Sequence, residues 1–238
     1  MNKAWIIAKR ELNAWFDSLV AYIVIVAFLA FSGIFTWLAG ADIFLRQQAD
    51  LSVFFGVARW TLFFFIPAIT MRLIAEEKRS GTIELVLTKN VTDRDFVLGK
   101  FLASLLMVSI VLACTLPYYF TVSILGPIDH GATIAGYFGL LLLSAAYIGI
   151  GLFASSLSNN QIVAFLLALF ISIFFQFLFD VFADSTSGII ARLFDMLSAM
   201  RHYDSIARGV LDSKDLIYFL SLCFVGLVLT EWRVKQRR

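Results

Sequence analysis

The sequence predicts an all-α integral membrane protein with six transmembrane helices. Of its 238 residues, 61% are hydrophobic and only 15% are charged, and the mean hydropathy is +0.88. Soluble domains usually contain about 45–50% apolar and about 25% charged residues. A soluble core of this size could not bury so much apolar surface, so the bilayer must solvate most of it. Six apolar segments of spanning or near-spanning length supply the helices.

A membrane span needs about 20 apolar residues. The candidate segments cover residues 19–39, 57–75, 97–125, 134–153, 162–179 and 216–230. The first is longer than the roughly 7–15 apolar residues of a signal peptide, so we interpret it as a retained span. Pro67 and Pro117 lie inside the second and third segments, where each removes a backbone hydrogen bond, and both are predicted to kink their helices.

Residues 2–17, ahead of the first span, are predicted to form an amphipathic helix in the membrane interface. Trp5 and Trp15 group with other apolar residues on one helical face, while Lys9 and Arg10 lie largely on the other. Tryptophan and basic residues on opposite faces are typical of interfacial helices. The alternative is an ordinary basic leader to the first span.

The distribution of Lys and Arg predicts that both termini are cytoplasmic. Thirteen of the 19 lie in the amino-terminal segment, in or beside the second connection, and in the carboxyl tail, and the remaining six lie in or beside the other connections. Basic residues concentrate on the cytoplasmic side of membrane proteins. Two cytoplasmic termini require an even number of spans, which six satisfies.

The second connection, around residues 76–95, combines charges with a short predicted helix. Gly81 permits a sharp turn, Thr82 is a predicted N-cap, and Glu84 lies in the first turn, where a carboxylate suits the positive helix end. Thr92 and Asp95 have the form of a capping box and so predict a second helix start. The apolar face of the short helix consists of Ile83, Val86 and Leu87. Such a helix could dock into a groove of another protein, or the segment could be a folded loop that neutralises headgroups.

The connection of residues 181–214 is predicted to face outward and to contain one or two helices. Ile190, Leu193, Phe194, Leu197 and Met200 recur at helical intervals and would bury an apolar face in the outer leaflet. We see no internal repeat or linker, so residues 1–238 form a single predicted domain.

The sequence lacks the patterns that would indicate an enzyme or a nucleic-acid-binding protein. It contains no G-x-x-x-x-G-K-[ST], H-E-x-x-H or G-x-S-x-G pattern, so we expect no catalytic residue, no metal ligand and no cofactor in this chain. A net charge of +2 does not favour a nucleic-acid partner. Cys114 and Cys223 lie in apolar segments and are interpreted as small buried residues.

The run AEEKRSGTIELVLTKN resembles the signature E-E-x-x-x-G-T-x-E-x-L-L-x-x-P of ABC-2-type permeases, with Asn90 at the place of the proline. In that family the run forms the coupling helix that contacts a separate ATPase subunit. The resemblance implies a type V exporter-like fold with an outward re-entrant segment, and ATP and Mg²⁺ bound by the partner ATPase. The residues implied in coupling are Glu76, Glu77, Lys78, Arg79, Gly81, Thr82, Ile83, Glu84, Val86 and Leu87.

Longer stretches are similar to the permease subunit of gliding-motility-associated ABC complexes. They are ADLSVFF, FFIPAITMRLIAEEKRSGTIELVLTK, GLFASSLSNNQIVAF and YDSIARGVLDSKDLIYFLSL. This resemblance implies a location in the bacterial inner membrane, a second membrane subunit with a periplasmic domain, and a dimer of permease subunits.

The functional expectation is a permease subunit that couples ATP hydrolysis in a partner to export or conformational work. One alternative is export of a lipid, glycan or small hydrophobic molecule. Another is mechanotransmission, in which ATP-driven motion passes to a periplasmic partner and no substrate moves. The spans contain few polar groups, and this scarcity favours a hydrophobic substrate or no substrate.

Overall fold

The computed structural model describes residues 3–38, 49–81 and 91–236, and within these ranges the chain is helical with no strand. Eleven helices can be followed through the described ranges: α1 (Lys3–Asp17), α2 (Val20–Trp37), α3 (Ser52–Arg79), α4 (Asp93–Ala113), α5 (Leu116–Leu125), α6 (His130–Leu157), α7 (Gln161–Ile173), α8 (Phe179–Ser185), α9 (Ile189–Leu197), α10 (Ala199–Ala207) and α11 (Ser213–Lys235). A π-helical turn, Phe174–Leu178, joins α7 to α8.

Six helical stretches are long and apolar enough to span a membrane, which confirms the predicted number. They are Val20–Trp37, Ser52–Arg79, Asp93–Leu125, His130–Leu157, Gln161–Ser185 and Ser213–Lys235. The apolar segment predicted for the sixth span, residues 216–230, is shorter than the helix in the structure. This helix begins at Ser213, because the Asp212 side chain caps it and accepts a hydrogen bond from the Lys214 amide. The long connection before it holds the helices α9 and α10.

The third span is divided into α4 and α5. The break falls at Cys114 and Thr115, and Pro117 lies in the first turn of α5. The Thr115 hydroxyl donates to the Leu112 carbonyl at 2.6 Å, and the Tyr137 hydroxyl donates to the Thr115 carbonyl at 3.2 Å. These side chains satisfy backbone carbonyls at the break, as a helix interruption within a membrane requires. Pro67, in contrast, lies inside a single continuous α3.

Helix α6 is the central element, and α3, α4, α7, α10 and α11 pack around it. Small residues allow the closest approaches, as in many membrane helix pairs. Gly149 of α6 lies against the backbone of Cys223 and against Gly226 on α11, and Gly151 lies against Thr70 on α3. The small residues of the fourth span therefore contact helices of the same chain.

Contacts among helix ends define two ends of the bundle. The end that holds α1, the last turns of α3, α6 and α11 and the start of α4 is called the basal end. The end that holds α9, α10 and the starts of α3, α6 and α11 is called the apical end.

Candidate functional site at the basal end

Helix α3 ends where the sequence predicts a break. Arg79 is its last residue, the amide of Ser80 donates to the Glu76 carbonyl at 2.9 Å, and Gly81 follows with φ of +69°. That left-handed backbone is one that glycine adopts at little cost. Lys78 and Arg79 lie in the last turn, where cations interact favourably with the negative end of the helix dipole.

A buried lysine joins three helices at the basal end. Lys100 on α4 is 1% exposed, and its Nζ donates to Oε1 of Glu77 on α3 at 2.8 Å. The same Nζ lies 3.4 Å from Oε1 of Glu11 on α1 and 4.9 Å from the centroid of the Phe96 ring. Arg10 of α1 lies 2.8 Å from the Glu11 carboxylate and 3.6 Å from that of Glu77. We call Arg10, Glu11, Glu77 and Lys100 the basal charge cluster.

The basal charge cluster keeps Glu11 ionised. Burial alone would raise the pKa of its carboxyl, but Lys100 and Arg10 outweigh that effect, so the pKa lies below its ordinary value of 4.5. A lysine buried to this degree is costly unless its charge is compensated and hydrogen-bonded. The two carboxylates provide that compensation, so α1, α3 and α4 are held in one arrangement at this end.

Helix α1 packs closely on the start of α4, where Gly99 leaves room for the side chain of Ile7. Ala4, Ile7, Ala8 and Trp15 are buried, and Gly99 of α4 lies directly beneath Ile7. The sequence grouped Trp5 with Trp15 on one face, whereas the structure separates them. Trp15 is 5% exposed and faces the bundle, while Trp5 is 47% exposed. An exposed tryptophan beside basic residues on a docked helix suits a position in the membrane interface.

Ser155 near the end of α6 bonds to the backbone of α3. Its Oγ accepts from the amides of Ile74 and Ala75, both at 3.1 Å, and donates to the Met71 carbonyl at 2.9 Å. Lys78 reaches the carbonyl of the next residue, Ser156. Both serines lie just beyond the fourth predicted segment of residues 134–153, and the structure places Ser155 against the turn of α3 that precedes the predicted coupling residues.

The start of α4 is fixed as the sequence predicts. The Thr92 Oγ1 accepts from the Asp95 amide at 3.1 Å, and Asp95 in turn accepts from Thr92, which confirms the capping box. Arg94, in the first turn, lies 3.0 Å from Glu231 near the end of α11. The segment of residues 82–90 therefore runs between two helix ends that are each held by neighbouring helices.

The structure describes only part of the predicted coupling segment. Thr82, Ile83, Glu84, Val86 and Leu87 lie outside the described residues. Glu76 and Arg79 are exposed, and Glu77 is turned toward Lys100.

Sequence reasoning missed the basal charge cluster as a unit. Lys100 lies in the third apolar segment and Glu11 in the predicted interfacial helix, and no contact between them was predicted. The available signal was a lysine seven residues into a helix that is otherwise apolar, because an ionisable residue inside a membrane helix usually has a partner.

A second polar cluster, at the apical end, was also missed. Arg59 of α3, 8% exposed, donates to Asp204 of α10 at 2.6 Å and lies over the ring of Tyr203. His202 lies 2.6 Å from Asp215, which is fully buried in the first turn of α11. His202 lies in the connection of residues 181–214 and Arg59 in the second apolar segment, and no partner was predicted for either residue.

Arg201 forms further ion pairs between helices at the apical end. Its guanidinium lies 2.7 Å from Asp180 and 2.7 Å from Asp195, and also pairs with Asp184. These contacts join α10 to α8 and α9. Helix α3 therefore carries an interhelical ion pair near each of its ends, Arg59 with Asp204 and Glu77 with Lys100.

Within the described ranges, no group of three His, Cys, Asp or Glu side chains could hold a metal ion. A search of curated proteins gives no match. The family model for ABC-2 family transporter proteins matches residues 45–230, which is well over half of the chain and covers α3 to α10 and most of α11. Together with the six membrane-spanning helices, this match shows that the protein belongs to the ABC-2 family of transporter proteins.

Proposed function

We propose that this chain is the membrane-spanning permease subunit of an ABC complex in the bacterial inner membrane, and that a separate ATPase chain binds ATP and Mg²⁺. The observation that carries the proposal is the family match, since ABC-2 permeases work with an ABC ATPase. In this proposal both termini and the basal end face the cytoplasm. The short helix predicted within residues 82–90 contacts the ATPase, and two permease chains form the membrane dimer.

The basal charge cluster connects the two helices that flank the coupling segment, so a movement of that segment can reach the membrane-spanning helices. Residues 82–90 connect Glu77, near the end of α3, with Lys100, in the second turn of α4, and these two side chains are bonded to each other. A displacement of the connecting segment therefore moves both helices together, and Glu11 couples α1 to the same movement. Packed, bistable contacts of this kind can amplify small shifts at one site.

Charge reversal in the coupling segment tests this proposal. In the complex purified from native membranes, Glu84→Lys should reduce the stimulation of ATP hydrolysis by the permease at least tenfold while leaving membrane insertion intact. Lys214→Glu, a charge reversal at the exposed start of α11 at the apical end, serves as the matched control and should retain that stimulation. Unchanged coupling in Glu84→Lys, or an equal loss in both variants, would contradict the assignment.

A second function, mechanotransmission to a membrane subunit with a periplasmic domain, is favoured by the continuity of α3. This single 28-residue helix holds Glu77 near its basal end and the Arg59–Asp204 ion pair near its apical end. At 1.5 Å per residue, those two positions are about 27 Å apart along one helix. A tilt of α3 at the basal end would therefore reposition α10 at the apical end. Gliding motility is one process that such a complex would serve.

A further inference from the structure

Two adjoining cavities at the basal end differ sharply in character. The first, of about 260 Å³, lies among α1, α3 and α4. Its charged lining consists of Glu11, Arg72, Glu76, Glu77 and Lys100. The second, of about 320 Å³, lies mainly between α2 and α3 and is bounded by apolar side chains such as Val24, Phe65 and Met107. The Trp15 and Arg72 side chains line both cavities, so a charged compartment and an apolar compartment meet at these two residues.

Within the part of the chain that the structure describes, the charged compartment holds one side chain of each sign that forms no ion pair. Lys100 is neutralised by Glu77 and Glu11. Arg72 and Glu76, one helical turn apart on α3, form no ion pair with any residue in the described ranges. With Arg10, which pairs with Glu11 and Glu77, three cations balance the three carboxylates, so the compartment carries no net charge and keeps one charge of each sign at Arg72 and Glu76. It therefore suits a group that carries an anion and a cation better than a purely anionic group.

We propose that the two cavities together bind a phospholipid with a primary-amine headgroup, such as phosphatidylethanolamine. The lipid phosphate is held by Arg72, whose planar guanidinium matches phosphate oxygens with two parallel hydrogen bonds. The ammonium donates to the Glu76 carboxylate, and one acyl chain occupies the apolar compartment between α2 and α3. The proposal goes beyond the proposed function and does not depend on it, because the chain alone forms the site.

The position of the site agrees with an amphiphile that enters from the bilayer. Arg72 lies seven residues, about 10 Å along the helix, inside the end of α3, and its side chain is half-buried. A long basic side chain at this depth extends toward the polar interface. Trp15, the other shared residue, is a type that prefers the boundary between apolar and polar regions. A lipid seated here would contact Glu77 and Lys100, and thus the basal charge cluster.

Native mass spectrometry of the full chain, delipidated and offered single lipids in equal amounts, measures this binding. Phosphatidylethanolamine should be retained at least fivefold more than phosphatidylcholine, whose quaternary ammonium donates no hydrogen bond. It should also exceed phosphatidylglycerol, which is anionic and meets Glu76 without a positive group.

Three variants address the parts of the site separately. Arg72→Gln and Glu76→Gln remove the two headgroup contacts. Ala68→Phe places an aromatic ring at an exposed lining residue of the apolar compartment. Each should reduce retention of phosphatidylethanolamine at least fivefold. The controls are Arg79→Gln, the same change on the exposed last turn of α3, and Ala113→Phe, at an exposed alanine outside both cavities.

Retention that depends on the amine and is lost only in the three lining variants supports the site. Equal retention of all three lipids, or equal effects of lining and control variants, would mean a nonspecific lipid annulus and would overturn the proposal. Preference for phosphatidylglycerol would overturn the headgroup assignment. Monodisperse elution and an unchanged helical signal identify variants that are folded. Because no ATPase takes part in the measurement, failure here leaves the proposed coupling unaffected.

Discussion

Ser155 makes three hydrogen bonds from α6 to the backbone of α3 near the basal end. Its buried hydroxyl accepts hydrogen bonds from two backbone amides of α3 and donates one to a backbone carbonyl of the same helix. A buried hydroxyl that bonds to several backbone groups of another helix contributes more to stability than one that bonds within its own helix.

Ser155→Ala should therefore destabilise the protein by about 1–3 kcal/mol, because the three hydrogen bonds between its hydroxyl and the backbone of α3 are lost. Ser109→Ala is the matched control, since the Ser109 hydroxyl donates only to Leu105 in its own helix. Thermal unfolding in detergent should show a clearly lower Tm for the first variant and a nearly unchanged Tm for the second. Equal Tm values for the two variants would show that the hydrogen bonds of Ser155 to α3 do not stabilise the protein.

Gly99 allows α1 to approach α4. A Cβ at this position would lie 2.6 Å from the Cβ of Ile7 and 2.9 Å from the Ala4 carbonyl oxygen. Gly99→Ala should therefore displace α1 and make it more accessible to proteolysis. Gly56→Ala is the control, since a Cβ there meets nothing within 4 Å. It should be neutral or stabilising by about 1 kcal/mol, because alanine favours helix over glycine. Limited proteolysis measures the rate at which α1 is cleaved in each variant. Equal rates in the two variants would contradict the close packing of α1 on Gly99.

At the scale of elements, α1 is attached to the bundle by packing and by the basal charge cluster. The Glu11 carboxylate is the member of that cluster whose pKa is shifted by its partners, chiefly Lys100 and Arg10, which outweigh the effect of burial. Its pKa is lowered in the folded protein, so its contribution to stability is fully present above the ordinary value of 4.5 and disappears as pH falls through the lower folded value.

Protection of the α1 amides from hydrogen exchange, corrected for the intrinsic rate, should thus stay constant down to about pH 5 and fall at lower pH. Glu11→Gln should remove that pH dependence while leaving the packing of Ala4 and Ile7 in place. A protection profile of the unaltered protein that does not change with acidification would show that Glu11 does not hold α1.

The sequence was sufficient to predict the six spans and the cap of α4, but not the residues that these helices contact. Apolar length predicted six spans, and the Thr92–Asp95 pattern predicted the start of α4, because both depend on neighbouring residues. The contacts of Lys100 with Glu11 and of Arg59 with Asp204 join residues 89 and 145 positions apart. No local pattern encodes such a pair, since it arises only when the helices pack.

At the scale of the whole molecule, α3 connects the basal charge cluster to the apical helices, while α6 provides the central packing surface. The family match and the six spans establish the class of membrane protein. The central claim built on them is that the connection between α3 and α4 contacts an ATPase subunit.

Photo-crosslinking in native membranes tests that claim most directly. Benzoylphenylalanine is placed at Arg79, exposed at the end of α3, or at Arg192, exposed on α9 at the apical end, and the adducts are identified by mass spectrometry. We predict that Arg79 yields an adduct with a protein that carries an ABC ATPase motif, and that Arg192 does not. Absence of an ATPase adduct from Arg79, or its appearance from Arg192 instead, would contradict the account.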